Sequence, residues 1–229
     1  MLQDGDKGVI VQRDGATYAI TPHLPCGLVT PQMLRKIAAV AERFSATLKC
    51  TSAQRIAIIG LREQDIDAAW EMLGSPNGPA ARGHATGAVI RSIRACPGTD
   101  FCKKARQDAL GVGLELDRRY HGQSVPGKMK IGVSGCGYQC CETAVKDIGL
   151  VGGAGGWMVL VGGSCGSVAR LGRELTDREV PTDRALALVE KTIQFYREHA
   201  EPGERLGDLL GRVGMVRLRR ACGELCGGD

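Results

Sequence analysis

Two short cysteine pairs carry the most chemistry in this chain. Cys96 and Cys102 close a C-x5-C, Cys96-Pro97-Gly98-Thr99-Asp100-Phe101-Cys102. Cys136 and Cys140 close a C-x3-C, Cys136-Gly137-Tyr138-Gln139-Cys140, with Cys141 adjacent. Four thiolates offered from two loops can hold a [4Fe-4S] cube at its corners. Zinc is the rival metal, but structural zinc sites favour shorter spacings within each pair than the C-x5-C provides. Unligated or oxidised thiols are the third reading. The chain has 10 cysteines in all, which raises the question of a secreted disulfide framework. The start, Met1-Leu2-Gln3-Asp4-Gly5-Asp6-Lys7, lacks the apolar run of a secretory leader. A chain of 229 residues that is 43% hydrophobic can also bury a core without staples. The expected location is cytoplasmic, where clustered cysteines serve as metal ligands or redox groups.

Composition removes other classes. Gly accounts for 33 residues but has no period of three, which excludes collagen. Aromatic residues make up 4%, too few to stack bases along a strand, and the net charge of +5 is spread along the chain. No nucleic-acid partner is expected. Residues 148–169 carry no formal charge and are long enough to span a bilayer. The pairs Gly152-Gly153, Gly155-Gly156 and Gly162-Gly163 break that stretch, so Trp157-Met158-Val159-Leu160-Val161 reads as a buried strand between tight turns. No membrane partner is expected either.

The elements that must position the cysteines follow from periodicity and punctuation. Val9-Ile10-Val11 and Tyr18-Ala19-Ile20 flank Arg13-Asp14-Gly15, a hairpin signal. Thr30-Pro31 opens a helix whose inner face is Leu34, Ile37, Ala38, Ala41 and Phe44. Arg55 to Ile59 reads as a strand, and Glu63 to Leu73 as a second helix. The breaker cluster Ser75-Pro76-Asn77-Gly78-Pro79 marks the expected boundary. Beyond it come a helix from Phe101 to Leu110, a strand from Met129 to Ser134, and the Gly-rich strands. A long helix starts at Thr182-Asp183 and ends at Pro202, and a tail helix runs from Glu204 to Val213.

The segment Ser134-Gly135-Cys136-Gly137-Tyr138-Gln139-Cys140, followed by Asp147-Ile148-Gly149-Leu150 and preceded by the C-x5-C, resembles the siroheme-dependent sulfite and nitrite reductases. The resemblance is to a small single-module enzyme of assimilatory type and covers roughly residues 15–175. It implies an α/β (α+β) fold, with a small ferredoxin-like half-domain over 1–75. A larger mixed α/β siroheme/[4Fe-4S] domain with a helical tail follows over 76–229. It implies siroheme and a [4Fe-4S] cluster as cofactors. Cys140 would bind a cluster iron and supply the axial sulfur to siroheme, and Cys96, Cys102 and Cys136 would hold the other irons. Leu24-Pro25-Cys26-Gly27-Leu28-Val29-Thr30 looks like the family's turn before its first helix, and Lys49-Cys50-Thr51-Ser52-Ala53-Gln54-Arg55-Ile56 like the segment around the siroheme carboxylates. Lys49, Thr51, Gln54, Arg55 and Arg94 are thus candidate siroheme contacts. Lys128 and Lys130, in Val125-Pro126-Gly127-Lys128-Met129-Lys130, look like the substrate-facing lysines, and Arg91 like the substrate-binding arginine.

The implied reaction is reduction of sulfite to sulfide, or of nitrite to ammonia, six electrons in either case. Arg and Lys suit a small oxyanion, and Lys can also donate protons. No GxGxxG follows a strand, so electrons must come from an external donor such as a ferredoxin. Larger relatives fuse two copies of the module. One copy leaves an edge and an apolar face uncovered, which favours a homodimer. The chain departs from the family at Thr21-Pro22-His23, where an arginine is common, and in the order Ala53-Gln54-Arg55. A different class of function, a siroheme-free iron–sulfur carrier, needs only the four cysteines.

Plainer readings stand beside these. Lys128 and Lys130 alternate on an expected strand and could be solvated charges. His23 could be a solvated loop histidine. Cys26, Cys50 and Cys165 read as small buried hydrophobes, and Cys141 as an unligated neighbour. Cys222 and Cys226 form a terminal C-x3-C, readable as a redox pair or as idle thiols in a disordered tail.

Overall fold

The computed structural model describes residues 1–74 and 87–226. The chain forms two compact units, Met1–Gly87 and Ala88–Asp229. The breaker cluster Ser75–Pro79 lies outside the described residues.

The first unit contains β1 (Val9–Val11), β2 (Tyr18–Ile20), α1 (Pro31–Phe44), β3 (Thr47–Cys50), β4 (Ile56–Leu61) and α2 (Ile66–Leu73). The sheet order is β1-β2-β4-β3, antiparallel throughout. The expected hairpin is β1–β2. Thr30 caps α1 by accepting the Met33 N–H at 3.1 Å, with Pro31 in the first turn. The two helices cover the sheet through Ile37, Val40, Ile66, Ala69, Trp70 and Leu73, packed on Val9, Tyr18, Ile20, Ile58 and Leu61. The Trp70 indole N–H donates to the Lys7 carbonyl at 2.8 Å, which satisfies its one polar atom. Leu34, expected in the core, is 44% exposed, and Val40 takes that role. The sequence reading has no β3. All four of its residues are exposed, so it shows none of the alternation that marks a half-buried strand. Arg55, expected to begin a strand, instead ends the turn between β3 and β4, where Cys50 pairs with Ile56.

The second unit contains β5 (Arg94–Ala95), α3 (Gly98–Phe101), α4 (Ala109–Tyr120), β6 (Ile131–Ser134), β7 (Ile148–Gly152) and β8 (Trp157–Val161). It continues with β9 (Arg173–Glu174), α5 (Thr182–His199), α6 (Leu206–Val213) and α7 (Met215–Cys222). Its sheet runs β5-β6-β7-β8-β9. The first three strands are parallel and the last two antiparallel. The uncharged stretch 148–169 begins with the β7–β8 hairpin. Among the described residues no helix is long and apolar enough to cross a membrane. Trp157 is fully buried, and its indole donates to the Thr182 hydroxyl at 3.0 Å, fixing the start of α5 against β8.

Two expectations for this unit are corrected. The helix expected from Phe101 to Leu110 does not form. Gly98–Phe101 is a single turn, residues 102–108 are irregular, and α4 begins at Ala109 with Asp108 as its cap, accepting the Gly111 N–H at 2.8 Å. The N–H groups of Arg106 and Gln107 turn away from any helix to bond the Gly135 carbonyl, at 2.7 and 3.1 Å. The tail is also more ordered than idle thiols require. α7 forms, and Cys222 and Cys226 are both buried. Arg184 donates to the Leu225 carbonyl at 2.8 Å, and to that of Glu224. Cys26 is buried as expected, but Cys50 and Cys165 are exposed.

Candidate functional site

The four cysteines are positioned by parallel pairing. β5 and β6 lie side by side in the same direction, with Ala95 opposite Val133, so the loops that follow them leave from neighbouring carboxyl ends. That edge is where open α/β sheets build their ligand sites. Cys96 follows β5 directly, and Cys136 follows β6 after Gly135. The Cys96 N–H donates to the Val133 carbonyl at 3.0 Å, and the Gly135 N–H donates to the Cys96 Sγ at 3.1 Å. Gly135 therefore bonds both arms of the first loop, through its N–H to Cys96 and its carbonyl to Arg106 and Gln107. A Cβ there would stand 2.6 Å from the Gln107 carbonyl oxygen, so only glycine lets the loops meet this closely. Gln139 sits in the left-handed region at φ 49°, and its N–H donates to the Cys136 carbonyl at 3.2 Å. Its side-chain oxygen accepts from the Thr143 hydroxyl at 2.7 Å and the Ala144 N–H at 2.9 Å, which pins the turn that carries Cys140.

All four thiols are free. Cys96 is buried, Cys102 and Cys136 are half-buried, and Cys140 is exposed. Cys141 is buried, its N–H bonds the Ser134 hydroxyl at 3.1 Å, and burial pushes its thiol up to about 12. It is poorly suited to act as a thiolate. Among the described residues no three His, Cys, Asp or Glu side chains are grouped to hold a single ion. A cube asks for a wider spacing, since each thiolate binds a different iron. Four free thiols on two linked loops, one already receiving a backbone N–H on its sulfur, are a donor set that fits a [4Fe-4S] cluster.

The basic residues gather in the same unit. The Arg91 N–H donates to the Met129 carbonyl at 2.9 Å, and Ile90 makes an isolated parallel bridge to Met129, so Arg91 lies beside the segment that carries Lys128 and Lys130, which precedes β6 and is not part of the strand expected from Met129. Burial lowers the Lys130 pKa from the ordinary lysine value, and the cations Lys128, Arg94, Arg205 and Lys146 lower it further. Burial, then Arg205, lowers that of Arg91 as well. The two carboxylates inside this group are both engaged. Glu142 accepts from Arg94 at 3.0 Å and from Lys146 at 2.8 Å. Asp147, 1% exposed, takes Arg205 in a fork at 3.0 and 2.7 Å and the Lys130 N–H at 2.7 Å. Burial raises the Asp147 pKa against the pull of Arg205 and the Lys130 N–H. With six cations against two carboxylates the group keeps a net positive charge, and it includes the four basic residues read from the sequence in this unit, Arg91, Arg94, Lys128 and Lys130, of which Arg94 is paired with Glu142.

Sequence reasoning gave no role to Lys146, Asp147 or Arg205. Asp147 stands in the quoted Asp147-Ile148-Gly149-Leu150, but its partner lies far along the chain, in a tail with no distinguishing pattern. Asp147→Ala is expected to cost about 3 kcal/mol of stability, because it leaves a guanidinium without its buried carboxylate. Denaturant unfolding measures this, and a loss below about 1 kcal/mol would place the pair among ordinary surface bridges.

In the first unit the candidate siroheme contacts cluster at one turn. Lys49 is exposed on β3. The Thr51 hydroxyl donates to the Arg55 carbonyl at 3.1 Å and accepts the Arg55 N–H at 3.3 Å, and Gln54 is left-handed at φ 58°. Arg55 is buried. A Cβ on Gly27 would stand 2.9 Å from the Gln54 Cβ, so the Pro25–Gly27 turn packs on this one. The two segments that resemble the family are therefore neighbours. The Thr21 hydroxyl is buried with no hydrogen-bond partner among the described residues, an orphaned polar atom of the kind a polar ligand would satisfy. His23, read as a solvated loop residue, is half-buried.

Known proteins match this arrangement over both units. The nitrite/sulfite reductase ferredoxin-like half domain matches residues 10–75, and the nitrite and sulphite reductase 4Fe-4S domain matches residues 86–228. An assimilatory-type sulfite reductase of Nitratidesulfovibrio vulgaris is 37% identical, over 96% of this chain and 99% of its own length. A nitrite reductase [NAD(P)H] of Bacillus subtilis is 36% identical over 91% of this chain, which spans only 25% of that protein. The solved structure of the Mycobacterium tuberculosis NirA protein has the same fold, with a TM-score of 0.78 at 17% identity over 99% of this chain and 44% of that one. With both domain types matched in order, and a full-length relative that shares more than a third of its residues, the chain belongs to the nitrite and sulfite reductase family.

Proposed function

We propose that this protein reduces sulfite to sulfide with electrons from an external carrier. The observation that carries the reading is the union, in one unit, of four free thiols on two linked loops and a basic cluster. Sulfite takes up six electrons and six protons, and its three oxygens leave as water. When bound, a [4Fe-4S] cluster would relay the donor's electrons singly and siroheme would supply the iron centre at which the anion is reduced. The thiolates of Cys96, Cys102, Cys136 and Cys140 would hold the cluster, and Cys140 would also bind siroheme. Lys49, Thr51, Gln54 and Arg55 in the first unit, and Arg94 in the second, are the candidates that would bond siroheme carboxylates, offsetting the cost of removing them from water. Arg91, Lys128 and Lys130 bind the oxyanion. Lys130, with its proton loosened by burial and neighbouring cations, also delivers protons to departing oxygens.

Nitrite reduction to ammonia is the second reading. It is favoured by the likeness to the Bacillus nitrite reductase and by a basic cluster that suits either anion. Turnover of the anaerobic holoenzyme with reduced methyl viologen tests both. A higher kcat/KM for sulfite, with sulfide as product, is expected. A higher value for nitrite would assign the second reading, and turnover of neither would remove the reductase function.

The reading includes a homodimer. β3 is the outer strand of its sheet with all four residues exposed, an edge that a second copy can cover. Size-exclusion chromatography with light scattering is expected to give twice the 24.3 kDa chain mass. A monomer at assay concentration would contradict it.

A further inference from the structure

The terminal pair Cys222 and Cys226 has no place in the proposed chemistry, and the structure brings the two thiols into contact. Cys222 closes α7, and a turn of 3-10 helix over Gly223–Leu225 follows. Gly223 makes the reversal at φ 58°, a backbone angle that favours glycine. The Cys226 N–H then donates to the Gly223 carbonyl at 3.2 Å, which brings Cys226 back to Cys222. There the Cys222 S–H donates to the Cys226 sulfur. Both cysteines are buried, yet the turn that joins them has no buried residue. Arg184, on α5, holds that turn in place by donating to the Glu224 and Leu225 carbonyls. Arg219, on α7, donates to the Glu174 carbonyl at 3.1 Å and pairs with Asp177 at 3.1 Å, which ties the helix to β9 and the residues after it.

We propose that Cys222 and Cys226 are a redox-active dithiol, oxidised to an internal disulfide by a low-molecular-weight disulfide and returned to the thiols by excess thiol. Two thiols already hydrogen-bonded across a tight turn meet the short approach that the bond requires. They are not equivalent. Burial, with Cys226 adding to it and Lys191 opposing, pushes the Cys222 thiol up to about 12. Burial and Asp177 raise that of Cys226 too, but the Cys222 S–H and the cations Arg219 and Arg184 pull it back. Cys226 is therefore the attacking sulfur and Cys222 the resolving one. The Cys226 thiolate attacks one sulfur of the oxidant, a mixed disulfide forms, and the first small thiol leaves with the proton that Cys226 gave up. The Cys222 thiolate then attacks the Cys226 sulfur, and the second small thiol leaves with the Cys222 proton. The oxidant's S–S bond breaks, the protein's forms, and two electrons pass from the pair to the oxidant. Opening of the exposed turn lets the oxidant in. Once formed, the bond closes that turn on Arg184 and fastens the tail to α5. The inference stands apart from the reductase reading, because neither sulfur belongs to the proposed cluster ligands.

The test uses the holoenzyme, kept without oxygen and incubated with glutathione disulfide in about hundredfold excess. Trypsin then frees a fragment that starts at Ala221 and holds both thiols, and mass spectrometry reads it after alkylation in denaturant. The expected fragment is unalkylated and about 2 Da lighter than the dithiol, and dithiothreitol restores both alkylation sites. Recovery of both thiols alkylated without dithiothreitol overturns the proposal, and so does a glutathione adduct that never resolves to the internal bond. Cys222→Ala is expected to stop at the Cys226 adduct, and Cys226→Ala to form its Cys222 adduct at least about tenfold more slowly. The opposite order overturns the assignment of the attacking sulfur. In the native protein, tryptic cleavage after Arg220 is expected to slow about fivefold when the wild type is oxidised, and to stay unchanged in Cys222→Ala. Equal rates before and after oxidation of the wild type overturn the fastening of the tail. Should either variant fail to fold, the wild type before and after oxidation decides both the bond and the fastening.

Discussion

Cys140→Ala is expected to reduce sulfite turnover by at least about a thousandfold, equivalent to about 4 kcal/mol of barrier. Cys140 is the exposed thiol of the set, carried on a turn that the Gln139 side chain pins through Thr143 and Ala144. Alanine there would remove the thiolate proposed to hold both the cluster and siroheme. Iron and acid-labile sulfide should fall together in the purified protein, and the haem bands should weaken with them. Cys141→Ala is the matched control. That thiol is buried and held protonated, so its loss should cost packing of about 1 kcal/mol and leave both cofactors bound. If Cys140→Ala keeps its iron, its visible bands and its rate, the ligand assignment is wrong.

Lys130→Met is expected to lower kcat/KM for sulfite about a hundredfold to a thousandfold, as when one aligned charge is taken from a developing oxyanion. The same residue sets a pH dependence whose sign follows from its surroundings. Burial and four cations hold its proton more loosely than in a free lysine. The protonated form binds the anion and gives the proton, so activity falls as pH rises through the lowered pKa. The alkaline limb of kcat/KM should therefore lie below the ordinary lysine range. Lys128→Met removes one of the like charges that depress Lys130, so the limb should move to higher pH even as the overall rate drops. A limb that stays put or moves down in Lys128→Met would separate the two lysines. A Lys130→Met enzyme with wild-type kcat/KM would take the residue out of the site.

The sequence carried the chemistry further than it carried the frame. The cysteine pairs stand in short local patterns, and the parallel pairing of β5 with β6 brings their two loops together, whereas Lys128, Lys130 and Arg91 were candidates only through the resemblance. The hairpin, α1, α2, β8 and α5 were legible from punctuation and period. β3 was not, because a strand exposed at every residue has no burial pattern to read. The expected helix at Phe101–Leu110 was overruled from a distance. Two N–H groups that would have served it bond Gly135, in a loop that only the tertiary fold brings near. Arg205 was invisible for the same reason. Its value lies in a buried carboxylate 58 residues before it, and nothing local marks it. Cys222 and Cys226 show the converse, a visible spacing whose burial, at and just after the end of an unexpected α7, no pattern announced.

The visible absorption spectrum of the protein, purified without oxygen from a siroheme-competent host, tests the central claim most directly. The expected result is a sharp Soret band with the red-region band of an isobacteriochlorin over a broad cluster background, together with iron and acid-labile sulfide. A cluster shoulder with no Soret band, unchanged after siroheme is supplied, would contradict the reductase and leave an iron–sulfur carrier.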